Sequence, residues 1–214
     1  MTYEQGRKRY GSLIRLKPEY KERYIILHRH TFPGVLERIR DSNIRNYSIF
    51  LRDGMLFSFF EYVGTDYPGD MEKIGADPVT RDWWKLTDPM QVPLETIGEG
   101  ERWAEMPELL HRGEGNGPEH KPSAGALRFA YVAQGISGSL SGKGFPGFLM
   151  DIGIQALSLY AKDDLLYIYL ESTEIEPEKH RSNLEAGLVR LLESLSPERS
   201  CTDWHPMQEV FHTD

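Results

Sequence analysis

The sequence predicts an α+β fold: two β-α-β-β-α-β units packed as an intramolecular pseudo-dimer, an α+β barrel. Two internal echoes and one Gly/Pro-rich stretch support this expectation. Asn46–Glu61 (NYSIFLRDGMLFSFFE) is echoed by Ala156–Glu171 (ALSLYAKDDLLYIYLE), each reading as a strand, a charged two-residue turn and a second strand. Trp103–His111 (WAEMPELLH) is echoed by Trp204–His212 (WHPMQEVFH). The offsets, 110 (156 − 46) and 101 (204 − 103), keep the order, as an internal duplication would. The expected organisation is a first unit over 1–112, a linker over 113–125 (GEGNGPEHKPSAG) and a second unit over 126–214. Half-units with one apolar sheet face each bury it by packing sheet against sheet, as in a fused homodimer.

Arg9 to Leu16 reads as a strand closed by Lys17-Pro18, with Pro18 suited to a first helical turn. Tyr20, Tyr24, Leu27 and His28 then recur at helical spacing. Pro33-Gly34 kinks or breaks this helix before it runs on to about Asp41. A hairpin over Ile44 to Tyr62 turns at Asp53-Gly54, a strong short-range hairpin signal. Short helices follow over Pro68 to Gly75 and Pro78 to Leu86, and Trp103 to His111 supplies the unit's closing strand. This is the ferredoxin-like order. The second copy starts with a strand over Leu127 to Gln134 and has a Gly/Ser-rich stretch, Gly135 to Gly153, with at most a short helix near Phe145 to Ile152. A hairpin over Ile154 to Ser172, an amphipathic helix over Pro177 to Leu195 and a strand from about Met207 to His212 complete it.

Composition bounds the function. The 214 residues are 39% hydrophobic and 27% charged, ordinary for a soluble globular chain. A net charge of −8 argues against nucleic acid as a partner. No secretory signal or membrane span is read, and the single cysteine, Cys201, suits a reducing compartment, so a cytoplasmic protein is expected. Asn46-Tyr47-Ser48 matches a glycosylation sequon but falls in a strand of a chain without a signal peptide.

Tyr24 and His28, four apart on one helix, share a face. An imidazole beside a phenol makes a proton-handling pair; the alternative is a packed tyrosine and a hydrogen-bonded core histidine. Trp83-Trp84 is the densest aromatic feature; indoles stack on sugar C–H faces, or both rings fill the core. Tyr-x-x-x-His and Trp-Trp each occur once, both in the first half. His28-Arg29-His30 is not read as a metal pair, because helical residues two apart point away from each other. Gly138–Gly144 lacks phosphate-loop spacing, and Cys201 has no local activator.

Four separated stretches together are similar to the L-rhamnose mutarotase family. They are Pro18, Tyr24, His28 and Phe32-Pro33; Asn46–Leu51; Ala76–Lys85 (ADPVTRDWWK); and Trp103-x-x-Met106-x-Glu108. The resemblance covers Arg9 to His111. It implies small ferredoxin-like units that pair as homodimers and interconvert the α and β anomers of L-rhamnose without a metal or organic cofactor. Carried over by motif, Tyr24 and His28 take the acid/base positions, and Trp83 and Trp84 the sugar-binding ones. The chain departs from the family as a tandem fusion, in an insert over Gln91 to Glu101, and in Leu27 and Arg29-His30 around the histidine. The expected function is an aldose mutarotase for L-rhamnose or a related deoxy-hexose. Its expected partner is a monosaccharide, and the expected state is a monomeric pseudo-dimer, with further association left open. The rivals are a non-catalytic sugar sensor or interaction scaffold and, by fold analogy alone, a monooxygenase or isomerase of the dimeric α+β barrel class.

Overall fold

Local chemistry sets most element boundaries. A computed structural model describes residues 7–95, 98, 100–113, 126–134, 153–172, 177–195 and 204–214. Strand β1, Lys8–Leu16, ends before a 3-10 turn, Pro18–Tyr20, that leads into helix α1, Lys21–Arg29. Pro33 opens helix α2, Pro33–Asp41, so the expected helix is broken there rather than kinked. Strands β2, Ile44–Arg52, and β3, Met55–Tyr62, form the hairpin. Its turn residues Asp53 and Gly54 have φ of 47° and 76°, the left-handed pair a tight hairpin turn requires.

Helix α3, Tyr67–Ala76, is capped by Asp66, whose carboxylate accepts from the Gly69 N–H at 3.1 Å. Helix α4, Pro78–Thr87, is capped by Asp77, which accepts from the Thr80 N–H at 2.7 Å. A Cβ added at Gly34 would come within 3.1 Å of Val79, so α2 approaches α4 closely because residue 34 has no side chain. Strands β4, Gln91–Val92, and β5, Ala104–Met106, both pair with β1.

Further on lie β6, Glu108–Gly113; β7, Leu127–Gln134; β8, Ile154–Lys162; β9, Leu165–Ser172; helix α5, Pro177–Leu195; β10, Trp204–Pro206; and β11, Gln208–Thr213. The expected linker after Gly113, the Gly/Ser-rich stretch before Gly153 with its short helix, and Cys201 lie outside the described residues.

The described residues form two compact units: those up to Met106 with Gln208–Asp214, and those from Pro107 to Met207. The first holds a sheet ordered β11-β2-β3-β1-β4, with β5 also on β1; the second holds a sheet ordered β10-β7-β9-β8-β6. All pairings are antiparallel. The fold class is therefore α+β.

The strand expected over Trp103–His111 divides. Ala104–Met106 pairs with β1, whereas Glu108–Gly113 pairs with β8 in the other sheet. Pro107, which has no N–H to give a ladder, stands at the division. The same break recurs at Met207: Trp204–Pro206 pairs with β7, and Gln208–Thr213 pairs with β2. The first sheet thus takes an outer strand from the stretch after Trp204-x-x-Met207, and the second takes one from the stretch after Trp103-x-x-Met106.

The echoes reach the side chains. The Ser48 hydroxyl and His212 Nδ1 are 2.9 Å apart in the first unit, and Ser158 and His111 Nδ1 are 2.9 Å apart in the second. Register shifts fall between Glu209 and Phe211 on β11 and between Glu108 and Leu110 on β6, matching positions of the two sequence echoes. Asn46 of the sequon is buried with φ of 51°.

The first core gathers Ile14, Leu16, Tyr24, Ile49, Leu56, Trp83 and Phe211; the second gathers Tyr131, Leu157, Leu159, Ile168 and Trp204 under Leu184, Leu188 and Leu191 of α5. Asp70 ties α3 to the first sheet: Tyr62, Asn43 and Lys73 donate to its carboxylate at 2.8, 2.7 and 2.7 Å. Among the described residues no helix is long and apolar enough to cross a membrane.

Candidate active site

Helix α1 lies on the first unit's sheet and turns Tyr24, Ile25 and His28 inward. Residues four apart share a face, so the Tyr24 and His28 rings meet, with centroids 4.0 Å apart. His28 Nδ1 lies 2.9 Å from the Tyr24 carbonyl oxygen. A carbonyl only accepts, so Nδ1 carries the proton and Nε2 is left with a lone pair. Burial disfavours the charged ring and pushes the His28 pKa down to about 4, against the pull of that carbonyl. At neutral pH His28 is an uncharged base.

Tyr24 is buried, and burial holds its phenol far above its usual range. The Gln91 side-chain amide donates to the Tyr24 hydroxyl at 3.1 Å, so the phenol's own proton is not spent on that contact. Gln91 owes its place to β4, where it pairs with Leu16.

Trp83 and Trp84 do different jobs. Trp83 is buried with its ring edge-on to both His28 and Phe32, each at 5.2 Å; Trp84, next along α4, is exposed. Trp83 therefore belongs both to the core and to the site, which joins the two readings the bare pair left open.

These residues surround two adjoining lobes of about 300 Å³ each. His28, Tyr47, Ile49, Trp83, Trp84 and Trp103 line both. Tyr24, Thr87, Asp88, Gln91 and Arg102 complete a polar lobe. There Arg102 faces Asp88, with Nε 3.4 Å from Oδ1 and Nη2 donating to the backbone oxygen at 3.1 Å. Val35, Ile39, Ile44, Met71 and Ile74 give the other lobe apolar walls.

The four sequence-selected residues thus meet at one cavity. Three further residues there escaped the sequence reading. Tyr47 packs edge-on against Phe60 and Phe211, at 5.7 and 5.3 Å, and burial lifts its phenol to about 12. Phe211, 5.8 Å from His28, arrives on β11 from the far end of the chain. Gln91 sits in the stretch read only as an insert. Strand alternation alone could not single out Tyr47, which lies at an irregularity of β2, and nothing local marked Phe211.

Among the described residues no group of three or more His, Cys, Asp or Glu side chains is arranged to hold a metal ion. The site offers a neutral imidazole with a free nitrogen, protonated phenols and aromatic surfaces, which suits proton transfer to and from an uncharged ligand.

The L-rhamnose mutarotase family model matches residues 9–112. An L-rhamnose mutarotase of Listeria monocytogenes is 31% identical over 83 residues, 39% of this chain and 79% of that protein. The chain belongs to the L-rhamnose mutarotase family. A second L-rhamnose mutarotase, from Burkholderia ambifaria, is 33% identical over 69 residues, 32% of this chain and 65% of that one. A candidate monooxygenase from Lactobacillus acidophilus superposes over 96% of this chain and 95% of its own, with a TM-score of 0.52 at 7% identity, a likeness of fold alone. The family match covers the stretch that contains Tyr24, His28, Trp83 and Trp84, and these stand at the cavity.

Proposed function

We propose that this member of the L-rhamnose mutarotase family interconverts the α and β anomers of L-rhamnose or a related deoxy-hexose by general acid/base catalysis. The observation that carries the reading is His28: neutral, tied through Nδ1 to the Tyr24 carbonyl, with Nε2 free at the cavity.

His28 Nε2 takes the proton from the C1 hydroxyl. The O1 electrons close to a carbonyl, the bond from C1 to the ring oxygen breaks, and that oxygen takes up a proton. Tyr24 supplies it, and the proton His28 took from the C1 hydroxyl is passed to the phenolate, because a lone phenolate there is strongly disfavoured. Rotation about C1–C2 and reclosure on the other carbonyl face, with the transfers reversed, gives the second anomer. Trp83 and Trp84 hold the ring by stacking on its C–H face. Each positioned proton transfer contributes ~10²–10⁴-fold, ample for a reaction that proceeds unaided.

The paired echoes support an origin by tandem duplication. On this reading the first repeat, 1–112, carries the acid/base and sugar-stacking residues of the one competent site, residues 113–125 link the copies, and 126–214 is a degenerate copy kept as scaffold, which lends Phe211 to the cavity. Tyr-x-x-x-His and Trp-Trp occur only in the first copy. A mutarotase needs a titrating pair at its cavity, which a sugar sensor does not, so His28 and Tyr24 favour the enzyme.

Polarimetry of freshly dissolved crystalline L-rhamnose tests the reading. The approach to anomeric equilibrium should quicken in proportion to protein concentration; an unchanged rate with L-rhamnose and related deoxy-hexoses would refute it.

A further inference from the structure

One rung of the first sheet crosses the cavity floor from end to end. Phe211 pairs with Ile49, Ile49 with Ser58, Ser58 with Ser12, and Ser12 with Glu105. Residues directly paired across strands point to one face, and all five line the apolar-walled lobe. Strands lie about 4.8 Å apart, so the four steps from Phe211 to Glu105 cover about 19 Å along the sheet. Phe211 stands beside His28. A pyranose reacting at His28 spans less than half of that path and leaves the Ser12–Glu105 end of the floor uncovered.

That end is built for hydroxyl groups. Ser12 and Ser58 are buried with their hydroxyls 2.7 Å apart, so one proton is spent between them and one remains, along with free lone pairs. Glu105 adds a carboxylate that only accepts, and no Lys or Arg is among the residues lining this lobe. Burial raises the Tyr10 and Tyr67 phenols, and the negative charge of Glu105 raises both further. An anionic ligand would meet that charge without compensation; a neutral polyol would donate to it. Ile39, Met71 and Ile74 give the same lobe apolar surface, and Tyr10 stacks on Tyr67 at 4.4 Å. Polar and apolar linings together match the hydroxyl edge and C–H face of a sugar ring.

We propose that Ser58, Ser12 and Glu105 form a second saccharide subsite, which holds a neutral sugar unit attached to the one whose C1 lies at His28. The preferred substrate is then the reducing end of a short oligosaccharide rather than a free monosaccharide. This rests on the mutarotase reading for what happens at His28, while the subsite itself is a matter of binding.

The test compares L-rhamnose with a reducing rhamnobiose, two L-rhamnose units joined by one glycosidic bond. Binding is followed by the fluorescence of the cavity tryptophans, and anomer exchange by NMR in the same samples. Wild type should bind rhamnobiose roughly tenfold or more tighter than L-rhamnose, as one or two hydrogen bonds to a charged acceptor provide. Glu105→Leu and Ser12→Val should bring the two affinities together. Equal affinities in wild type, no binding of either sugar, or a preference that survives both substitutions would overturn the subsite. Glu105 is exposed, so its substitution keeps the fold and carries the test if Ser12→Val does not. Faster exchange without the preference would sink the subsite and leave the mutarotase; the preference without faster exchange would do the reverse.

Discussion

His28 Nδ1 sits 2.9 Å from the carbonyl oxygen of Tyr24, one helical turn earlier. That contact fixes which nitrogen bears the proton, and burial sets the charge. On the proposed mechanism, one helix thereby delivers a base already in its reactive tautomer, and packing against Trp83 and Phe211 holds the ring in place.

The depressed His28 pKa predicts an unusual pH–rate profile. On the proposed mechanism the neutral ring is the active form, so activity should stay level as pH falls through 6.5 and should halve only near pH 4. Exchange rates from pH 4 to 8 check this; a midpoint near 6.5 would mean that the ring is solvated.

The same shift acts on stability. Between about pH 6.5 and 4 the unfolded chain binds a proton at this residue and the folded chain does not, so stability falls as pH drops through that window. The full effect is about 3 kcal/mol from the separation of the two pKa values. Thermal unfolding of wild type and His28→Gln across this range should show a shallower slope in the variant.

Tyr24→Phe should lower kcat roughly 100-fold, the low end for one positioned proton transfer. It also leaves the Gln91 amide without its acceptor, at about 1–2 kcal/mol of stability. Adding Gln91→Leu should recover stability but not activity, which separates the chemical from the structural loss by a double-mutant cycle.

The two tryptophans should divide by burial. Trp83→Ala removes a buried ring from between His28 and Phe32 and should cost about 3–5 kcal/mol in denaturant unfolding. Trp84→Ala, at an exposed position, should leave stability nearly unchanged and raise KM.

Asp70 takes three donors that hold its carboxyl down to about 2, with the Lys73 bond the largest cause. Its stabilisation is present above the ordinary carboxylate range and is lost as pH falls toward 2. Asp70→Asn should therefore lower Tm at pH 7 and make little difference at pH 2.

Much of this was legible in the sequence because it follows from local chemistry. Pro33 breaks a helix, Asp53-Gly54 makes a tight turn, and Tyr-x-x-x-His places two rings on one face. The crossing of strands at Pro107 and Met207 was not legible, because Trp103–His111 has strand chemistry throughout and only long-range pairing decides which sheet receives each half. Phe211 was missed for the same reason: it reaches His28 only through β11, 183 residues along the chain (211 − 28). Tyr47 lies where β2 bulges, between Arg45 and Ser48, with Asn46 at φ of 51°. An extra residue in a strand resets which side chains face inward, so simple alternation could not settle its role.

The most direct test of the central claim is anomer exchange of L-rhamnose by NMR saturation transfer with wild type and with His28→Ala. Faster exchange with wild type that collapses to the protein-free rate in His28→Ala is the predicted result. Acceleration that survives the substitution, or none with wild type, would contradict the role assigned to His28.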